Sequence, residues 1–360
     1  MSEKDYPCLA RWAERVRGAA AEGTSLRLRG GGNKDFYGQC LAGELLDTRE
    51  FSGIVAYEPT ELVVTARCGT PLVELEAILA EKGQALAFEP PHFGPGATVG
   101  GCVAAGLAGP RRAQAGALRD FVLGAKLLDG EGKLLAFGGQ VMKNVAGYDV
   151  PRLLAGSLGT LGLIVEVSLK VLPVPVAEQS LRFELAQQQA LRLLNEWGGK
   201  PVPISASAWH DNFLHVRLSG ALAAVNSAIG KLGGERLAPD QGAAFWSSLR
   251  EQTHPFFAGD APLWRIAVPS TSPELTLAGK QLVEWGGALR WARGDIAREA
   301  RGAAEKAGGH ATLFRADKAH KAAAGVFHPL SAPLAQIHRR LKSAFDPRGV
   351  FNPGRMYSDF

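Results

Sequence analysis

Apolar runs in the first half of the chain are short and are separated by glycine-rich turns. Residues 9–21 place Trp12 and Val16 on one face, which predicts an amphipathic helix. A second helix is predicted over residues 72–81, because Pro71 precedes it and Gly83 follows it. Alternation predicts a strand over residues 24–29, and short apolar runs predict strands over residues 54–57, 62–66 and 163–172. A hairpin pattern predicts a pair of strands over residues 119–128 and 134–135.

From residue 181 onward the pattern becomes strand, helix, strand, strand and helix. A first round covers residues 181–185, 187–197, 204–209, 213–218 and 222–232. A second round covers residues 263–268, 273–285, 288–291, 298–307 and 312–315, with residues 273–285 predicted as a helix. The tetrapeptide Glu-Trp-Gly-Gly occurs at residues 196–199 and again at 284–287, and in both copies glycine is expected to end a helix. A last helix is predicted over residues 333–345.

Composition limits the classes of protein to consider. A chain of 360 residues is long enough for two domains, and its net charge of +5 is too diffuse to indicate nucleic-acid binding. The cysteines lack CxxC spacing, so neither an iron–sulfur cluster nor any other metal site is expected in this chain. It shows no secretory signal and no uncharged apolar run of about 18 residues, so a cytoplasmic protein is expected.

Glycine combines with small or hydroxyl side chains in a series of turns. The segments are RGGGNK at residues 29–34, GATVGG at 96–101, KNVAGYD at 143–149 and GSLGTLG at 156–162. Glycine lets backbone N–H groups approach a ligand closely, so a turn of this kind after a strand can cradle a phosphate. For the first turn alone, a plain hairpin loop explains the pattern equally well. Together, the turns predict a site for a long phosphorylated cofactor.

Two common nucleotide-binding patterns do not fit these turns. A Rossmann site needs GxGxxG between a strand and a helix, but residues 94–100 have one residue too many between their last glycines. A Walker A motif needs Ser or Thr after Gly-Lys, and the Gly-Lys pairs at residues 132–133, 199–200 and 230–231 are followed by Leu, Pro and Leu. The sequence therefore disfavours a Rossmann dehydrogenase and a P-loop NTPase.

The turns occur in the same order as in a known family. With the tail FDP…NPG within residues 345–354, they resemble the vanillyl-alcohol oxidase / p-cresol methylhydroxylase (PCMH-type) flavoproteins over nearly the whole chain. The resemblance implies an α+β fold, with a PCMH-type FAD-binding domain of two α+β subdomains and an α+β cap domain. The implied limits are residues 1–175 for the FAD-binding domain, 176–327 for the cap, and 328–360 for a helix and tail that return to the first domain.

The resemblance also implies which residues contact FAD. The first and second glycine turns would bind the pyrophosphate, residues 159–164 would lie along the adenosine, and the tail would approach the flavin. The implied cofactor residues are Arg29, Gly30, Gly31, Gly32, Asn33, Lys34, Gly69, Thr70, Gly96, Ala97, Thr98, Val99, Gly100, Gly101, Asn144, Gly147, Tyr148, Asp149, Gly159, Thr160, Ile164 and Asn352. Some members attach FAD through a histidine at the position of Asn33, which cannot form that bond, so non-covalent FAD is predicted.

The catalytic group is not identified by the sequence. His310, with Arg315 five residues later, is the strongest candidate, but a lone histidine after two glycines is more often structural. The resemblance implies an FAD-binding subunit that acts with a catalytic flavoprotein (D-type) subunit and an iron–sulfur subunit. This complex would oxidise a small 2-hydroxy acid, glycolate, to glyoxylate, and would sit in the cytoplasm or peripherally on the inner face of the cell membrane.

Two alternatives remain open. The chain could be a self-sufficient FAD-dependent dehydrogenase for 2-hydroxy acids, of the D-lactate type, or a scaffold subunit whose FAD is structural. A positioned base would favour the self-sufficient enzyme, because oxidation of a hydroxy acid needs a group to accept the hydroxyl proton.

Overall fold

Two antiparallel sheets form the framework of the chain, and helices cover them. The computed structural model describes residues 7–139 and 148–359. We call residues 7–173 the N-terminal region and residues 177–315 the eight-stranded region. Helices and strands are both abundant, so the α+β class is confirmed. The domain limits at residues 175 and 327 stay a prediction.

The N-terminal region is built around a five-stranded sheet in the order β3-β4-β8-β6-β7. Two short pairs, β1 with β2 in parallel and β5 with β9 antiparallel, flank it. Its elements are α1 (Pro7–Glu22), β1 (Leu26–Arg29), β2 (Glu44–Asp47), β3 (Ile54–Glu58), β4 (Val63–Arg67), α2 (Leu72–Ala80), β5 (Gln84–Ala85), α3 (Val99–Ala105), α4 (Arg112–Ala115), β6 (Val122–Leu128), β7 (Leu134–Gly138), α5 (Val150–Leu154), β8 (Leu163–Lys170) and β9 (Leu172–Pro173).

The central strand β8 divides the apolar core of this region. Leu163 and Val165 pack with Trp12 of α1, whereas Val167 and Leu169 pack with the residues of α2 and α3. Because both faces are covered, every residue of β8 except the last is buried. This explains why residues 163–172 read as a nearly continuous apolar run.

The eight-stranded region is a single antiparallel sheet in the order β13-β10-β12-β11-β15-β16-β14-β17. Helices α6 and α7 pack against one half of the sheet and α9 against the other. The elements are β10 (Ala177–Glu184), α6 (Gln187–Gly198), β11 (Ile204–His210), β12 (Phe213–Gly220), α7 (Leu222–Leu232), β13 (Glu235–Arg236), α8 (Pro239–Arg250), β14 (Leu263–Ala267), β15 (Gln281–Glu284), β16 (Leu289–Arg293), α9 (Ala297–Lys306) and β17 (His310–Arg315).

The prediction of a helix over residues 273–285 is wrong. Leu282 and Val283 lie in β15, which pairs with both β11 and β16 and buries these side chains inside the sheet. Pairing on both edges overrides the weak helical pattern of this segment. Consequently Glu284 ends a strand, and the Gly-Gly that follows turns the chain at positive φ instead of ending a helix. The sequence reading also missed α8, whose Trp246 and Leu249 are buried.

The last described segment packs back onto the N-terminal region after α10 (Lys318–Ala324). In α11 (Ala332–Phe345), Leu341 and Phe345 contact the core beside β8. The tail continues to Phe351, which is fully buried and bridges to Leu26 of β1. The backbone N–H of Leu26 donates to the carbonyl of Val350 at 2.7 Å, so the tail extends the edge of the β1–β2 pair.

A buried ion pair fixes the end of α11 to this tail. Lys342 Nζ donates to Asp346 Oδ2 at 2.6 Å and also to the carbonyls of Thr160 and Phe351 at 2.7 and 2.8 Å. The Asp346 carboxylate in turn accepts from the N–H groups of Val350 and Phe351 at 2.9 and 2.8 Å. Both charges are thus fully hydrogen-bonded, as a buried ion pair requires.

Replacing Lys342 with methionine should destabilise the protein by about 3–5 kcal/mol, because Asp346 would keep a buried charge without its partner. Urea unfolding followed by circular dichroism measures the change. Arg340→Met is the matched control: Arg340 is exposed on the same helix, so its loss should change the free energy of unfolding by no more than about 0.5 kcal/mol. Equal effects of the two substitutions would contradict the assigned role of the pair.

Candidate functional site

The first glycine turn, which follows β1, presses against the second. An added Cβ at Gly30 would overlap the Thr98 hydroxyl, and one at Gly31 would overlap the carbonyl oxygen of Gly96. The Asn33 side-chain amide donates to the carbonyl of Pro95 at 2.6 Å and holds the two turns together. Only glycine allows this approach, because any side chain at these two positions would push the turns apart.

The second turn leads directly into a helix. Thr98 is the N-cap of α3, and its hydroxyl accepts from the N–H of Gly101 at 3.2 Å. Val99, Gly100 and Gly101 therefore form the first turn of a helix, where the sequence suggested a glycine turn before the helix. Val99 is fully buried in the core and is not among the residues that line the cleft.

The tail closes the same site from a third direction. Asn352 Oδ1 accepts from the N–H of Leu28 at 2.9 Å, and its Nδ2 donates to the carbonyl of Leu158 at 2.7 Å. An added Cβ at Gly159 would lie 2.7 Å from Asn352 Nδ2. Asn352 therefore bridges β1 and the third described glycine turn, although it is separated from Leu158 by 194 residues.

These turns enclose two narrow clefts that share one wall. The first is lined by Leu28, Arg29, Gly30, Gly31, Gly32, Asn33, Lys34, Asp35, Leu41, Ala97, Thr98, Gly101, Ala104, Ala105, Leu158, Asn352 and Arg355. The second is lined by Leu28, Arg29, Gly30, Thr48, Cys68, Gly100, Gly101, Ala104, Leu158, Gly159, Gly162, Leu163, Ile164 and Asn352. Most of the cofactor residues suggested by the resemblance thus lie together along one groove.

Several predicted residues lie elsewhere. Thr70 is fully buried and its hydroxyl bonds to the backbone of Gly53, with Gly69 beside it. Gly96 and Thr160 also lie outside the cleft walls, and the Thr160 hydroxyl donates to the carbonyl of Ser157 at 2.8 Å. Tyr148 is 93% exposed, and Asp149 pairs with Arg152 at 2.9 Å. Asn144 and Gly147 lie outside the described residues.

The sequence reading missed part of the wall. Ala104 and Ala105 of α3 line the groove, and their small size was the available signal, because the run after Gly101 was already read as a tightly packed helix start. Arg355 was not identified. It is nearly buried and donates to the carbonyls of Cys40, Lys34 and Asp35 at 3.1, 3.2 and 3.2 Å, so it holds the chain that follows the first turn.

The groove carries polar groups suited to an extended phosphorylated ligand. Asn33 Oδ1 is buried and has no hydrogen-bond partner among the described residues, so it is a ready acceptor. Arg29 pairs with Asp35 at 2.9 Å. The Lys34 ammonium lies against the Phe93 ring and 3.5 Å from the carbonyl of His92, and burial lowers its pKa. The residues present therefore fit a cofactor with phosphates and a polar ring system.

A larger chamber of about 510 Å³ lies between the N-terminal region and the eight-stranded region. We call it the interregional chamber. It shares Ala105 with the first cleft, so the two spaces meet at the end of α3. Its remaining walls are Tyr37, Gly106, Leu107, Arg112, Ala117, Arg119, Ala155, Gly156, Arg265, Ala267, Val268, Pro269, Trp285, Ala288, Gly308, Gly309 and His310. The volume is typical of a small-molecule site.

The two residues suggested for catalysis are separated by the structure. His310 lines the interregional chamber, and burial together with the nearby charge of Arg265 lowers its pKa, so the imidazole is neutral at pH 7. Arg315 does not reach the chamber, because it lies over the Phe36 ring and donates to Gln252 at 3.0 Å. His310 thus remains a candidate for catalysis because of its position in the chamber. Arg315 lies outside the chamber and is held by Gln252.

Comparison with known proteins decides the family. A protein-family model described as "FAD binding domain" matches residues 10–138. The glycolate oxidase subunit GlcE of Escherichia coli (strain K12) is 50% identical to this chain over 347 residues, which are 96% of each protein. The chain belongs to the GlcE family of glycolate oxidase subunits. It is therefore an FAD-binding protein of an oxidoreductase family.

Other relatives share only part of the chain. The glycolate oxidase subunit GlcD of Bacillus subtilis (strain 168) is 31% identical over 42% of this chain and 33% of its own length. Among solved structures, an alkyldihydroxyacetonephosphate synthase superposes with a TM-score of 0.64 at 16% identity, covering 95% of this chain and 73% of that one. This likeness concerns the fold and, with the family match, confirms the predicted PCMH-type architecture.

The described part of the chain contains no helix that is long and apolar enough to cross a membrane.

Replacing Gly31 with alanine should weaken FAD binding at least about tenfold, equivalent to about 1.4 kcal/mol, because the new Cβ would force the first two glycine turns apart. The flavin-to-protein absorbance ratio after purification and an FAD titration of the apoprotein measure this loss. Gly18→Ala serves as the control, since its Cβ would meet nothing within 4 Å. Full flavin content in the Gly31 variant would show that the close approach does not matter for binding.

Proposed function

We propose that this chain is the FAD-bearing subunit of a complex that oxidises glycolate to glyoxylate. The observation that carries the proposal is 50% identity to a glycolate oxidase subunit over 96% of this chain. It is supported by the clefts between the described glycine turns, the first of which meets the interregional chamber at Ala105. Catalytic flavoprotein (D-type) and iron–sulfur subunits complete the proposed complex, and contact with the inner face of the cell membrane would run through these partners.

The groove is the part of the chain that would hold FAD. The backbone N–H groups at Gly30, Gly31 and Gly32 would provide donors for the phosphates, in the manner of other glycine-rich phosphate sites. Asn33 Oδ1 offers a free acceptor beside them. Gly159 and Ile164 line the far cleft, and Asn352 fixes the wall between the two clefts through its bonds to Leu28 and Leu158.

The reaction removes a hydride from C2 of glycolate and a proton from its hydroxyl group. Bound FAD supplies the two-electron acceptor. The chain's own side chains in the interregional chamber would bind and orient an acid. The group that accepts the proton would come from the catalytic (D-type) subunit, whereas in the self-sufficient alternative neutral His310 would take this role. Burial raises the pKa of Tyr37, so its phenol stays protonated.

Anaerobic mixing with glycolate should distinguish a subunit that needs its partners from an enzyme that is complete by itself. The flavin of the isolated holoprotein should stay oxidised after mixing. The flavin of the co-purified complex should instead be reduced by glycolate and lose its absorbance. If the chain is a self-sufficient dehydrogenase, glycolate or D-lactate should instead reduce the flavin of the isolated chain rapidly.

An affinity-column experiment tests the proposed complex. A tagged chain that is co-expressed with the proposed D-type and iron–sulfur subunits should retain both of them on the column. Bleaching of the isolated chain, or retention of no partner, would overturn the proposal.

FAD should be bound without a covalent link, because Asn33 replaces the histidine that carries it in some flavoproteins of this fold. Precipitation with acid should leave the yellow colour in the supernatant, and the protein mass should equal that of the polypeptide alone. A yellow pellet, with a mass increased by one FAD, would contradict this prediction. Asn33→Ala should still release free FAD, since the side chain acts through hydrogen bonds to Pro95 and Phe93.

A further inference from the structure

The interregional chamber has a one-sided charge. Its described lining includes Arg112, Arg119, Arg265 and His310, and no aspartate or glutamate. Protein surfaces normally intersperse charges of both signs, so a wall with three guanidinium groups and no carboxylate favours an anionic ligand. The chamber thus differs from the neighbouring groove, where Arg29 is paired with Asp35.

Two of these arginines converge on one aromatic ring. The guanidinium carbon of Arg112 lies 4.5 Å from the Trp285 ring centroid, and that of Arg265 lies 5.2 Å from it. Arg112 comes from α4 of the N-terminal region, whereas Arg265 comes from β14 of the eight-stranded region. The indole is fixed because its Nε1 donates to the carbonyl of Gly109 at 3.1 Å. The three side chains therefore join the two regions.

Neither guanidinium has a polar partner among the described residues. Arg112 and Arg265 form no side-chain hydrogen bond and no ion pair there, and the carboxylates that act on them from a distance are Asp120 and Glu284. Asp120 instead caps the N–H of Ala117 at 2.9 Å, and Glu284 accepts from Trp291 Nε1 at 2.7 Å. The guanidinium N–H groups of both arginines are thus available to bind a ligand in the chamber.

A purely structural role explains this arrangement poorly. The buried Arg217, which also joins the two regions, is paired with Glu89 at 2.7 Å and lies over Trp246. Arg112 and Arg265 have the aromatic ring but lack the carboxylate. Burial and their mutual repulsion lower the pKa of Arg112, which marks an unfavourable crowding of positive charge that an anion would relieve.

We propose that Arg112 and Arg265 bind the carboxylate group of a small 2-hydroxy or 2-oxo acid in the interregional chamber, where Trp285 and His310 also line the wall. The assignment rests on the proposed function, which supplies an acid of this class. Arginine suits the role because its planar donors match a carboxylate. Bound acid would also link the two regions, since each contributes one arginine.

Titration of the purified FAD-loaded chain tests the site without turnover. Glycolate, glyoxylate, inorganic phosphate and the neutral analogue ethylene glycol are added separately while tryptophan fluorescence and flavin absorbance are recorded. We expect saturable changes with both acids and none with ethylene glycol. Arg112→Gln and Arg265→Gln should each weaken binding of the acids at least about tenfold, because a charge-assisted hydrogen-bond pair is lost.

Arg315→Gln is the matched control. It removes an arginine from the same region that lies over Phe36 and outside the chamber, so affinity for the acids should be unchanged. If a glutamine variant fails to fold, Arg112→Lys and Arg265→Lys take its place. They keep the positive charge but remove the planar pair of N–H donors of the guanidinium. The lysine variants should bind the acids more weakly than the parent and retain their flavin spectrum.

Three outcomes would overturn the inference. They are equal affinity in the parent chain and both arginine variants, equal responses to glycolate and ethylene glycol, and binding of inorganic phosphate as tight as that of glycolate. A chain that carries no flavin after purification would contradict the proposed function instead. Because flavin content is read from the absorbance spectrum before titration, the two failures are distinguishable.

Discussion

The contact between the first two glycine turns determines the form of the cofactor groove. Gly31 lies so close to the carbonyl of Gly96 that no side chain fits between them, and Asn33 closes the contact with a hydrogen bond to Pro95. This contact brings the end of β1 to the start of α3, although the two are far apart in sequence. Residues of both turns then line one narrow cleft, where the backbone N–H groups of the first turn suit a phosphorylated ligand.

The tail makes this arrangement depend on the far end of the described chain. Lys342 and Asp346 form a buried, fully hydrogen-bonded pair that fixes the turn after α11, and Phe351 then extends the edge of β1. The next residue, Asn352, bonds to both Leu28 and Leu158. Stability and cofactor binding are therefore coupled, because the residues that anchor the tail also position one wall of the groove.

The interregional chamber depends on contacts between separate parts of the fold. Trp285 reaches from the eight-stranded region to the carbonyl of Gly109, and Lys321 donates to the carbonyls of Phe36 and Gly38. These contacts hold the walls of the chamber beside the end of the groove. The chamber's arginines come from both regions, so its charge is a property of the assembled molecule and of neither region by itself.

The sequence determined the local features of this protein. Glycine runs after strands, the apolar run of β8 and the helix after Pro71 are encoded over short distances by backbone freedom, burial and φ preference, and they were predicted correctly. The ordered turns also carried the family resemblance. Tertiary structure decided the rest. Residues 281–284 became a strand because β11 and β16 pair with them on both edges, against the predicted helix. The convergence of Arg112 and Arg265 on Trp285 was also hidden, because their proximity depends on how the two regions pack, and short-range periodicity carries no information about that packing.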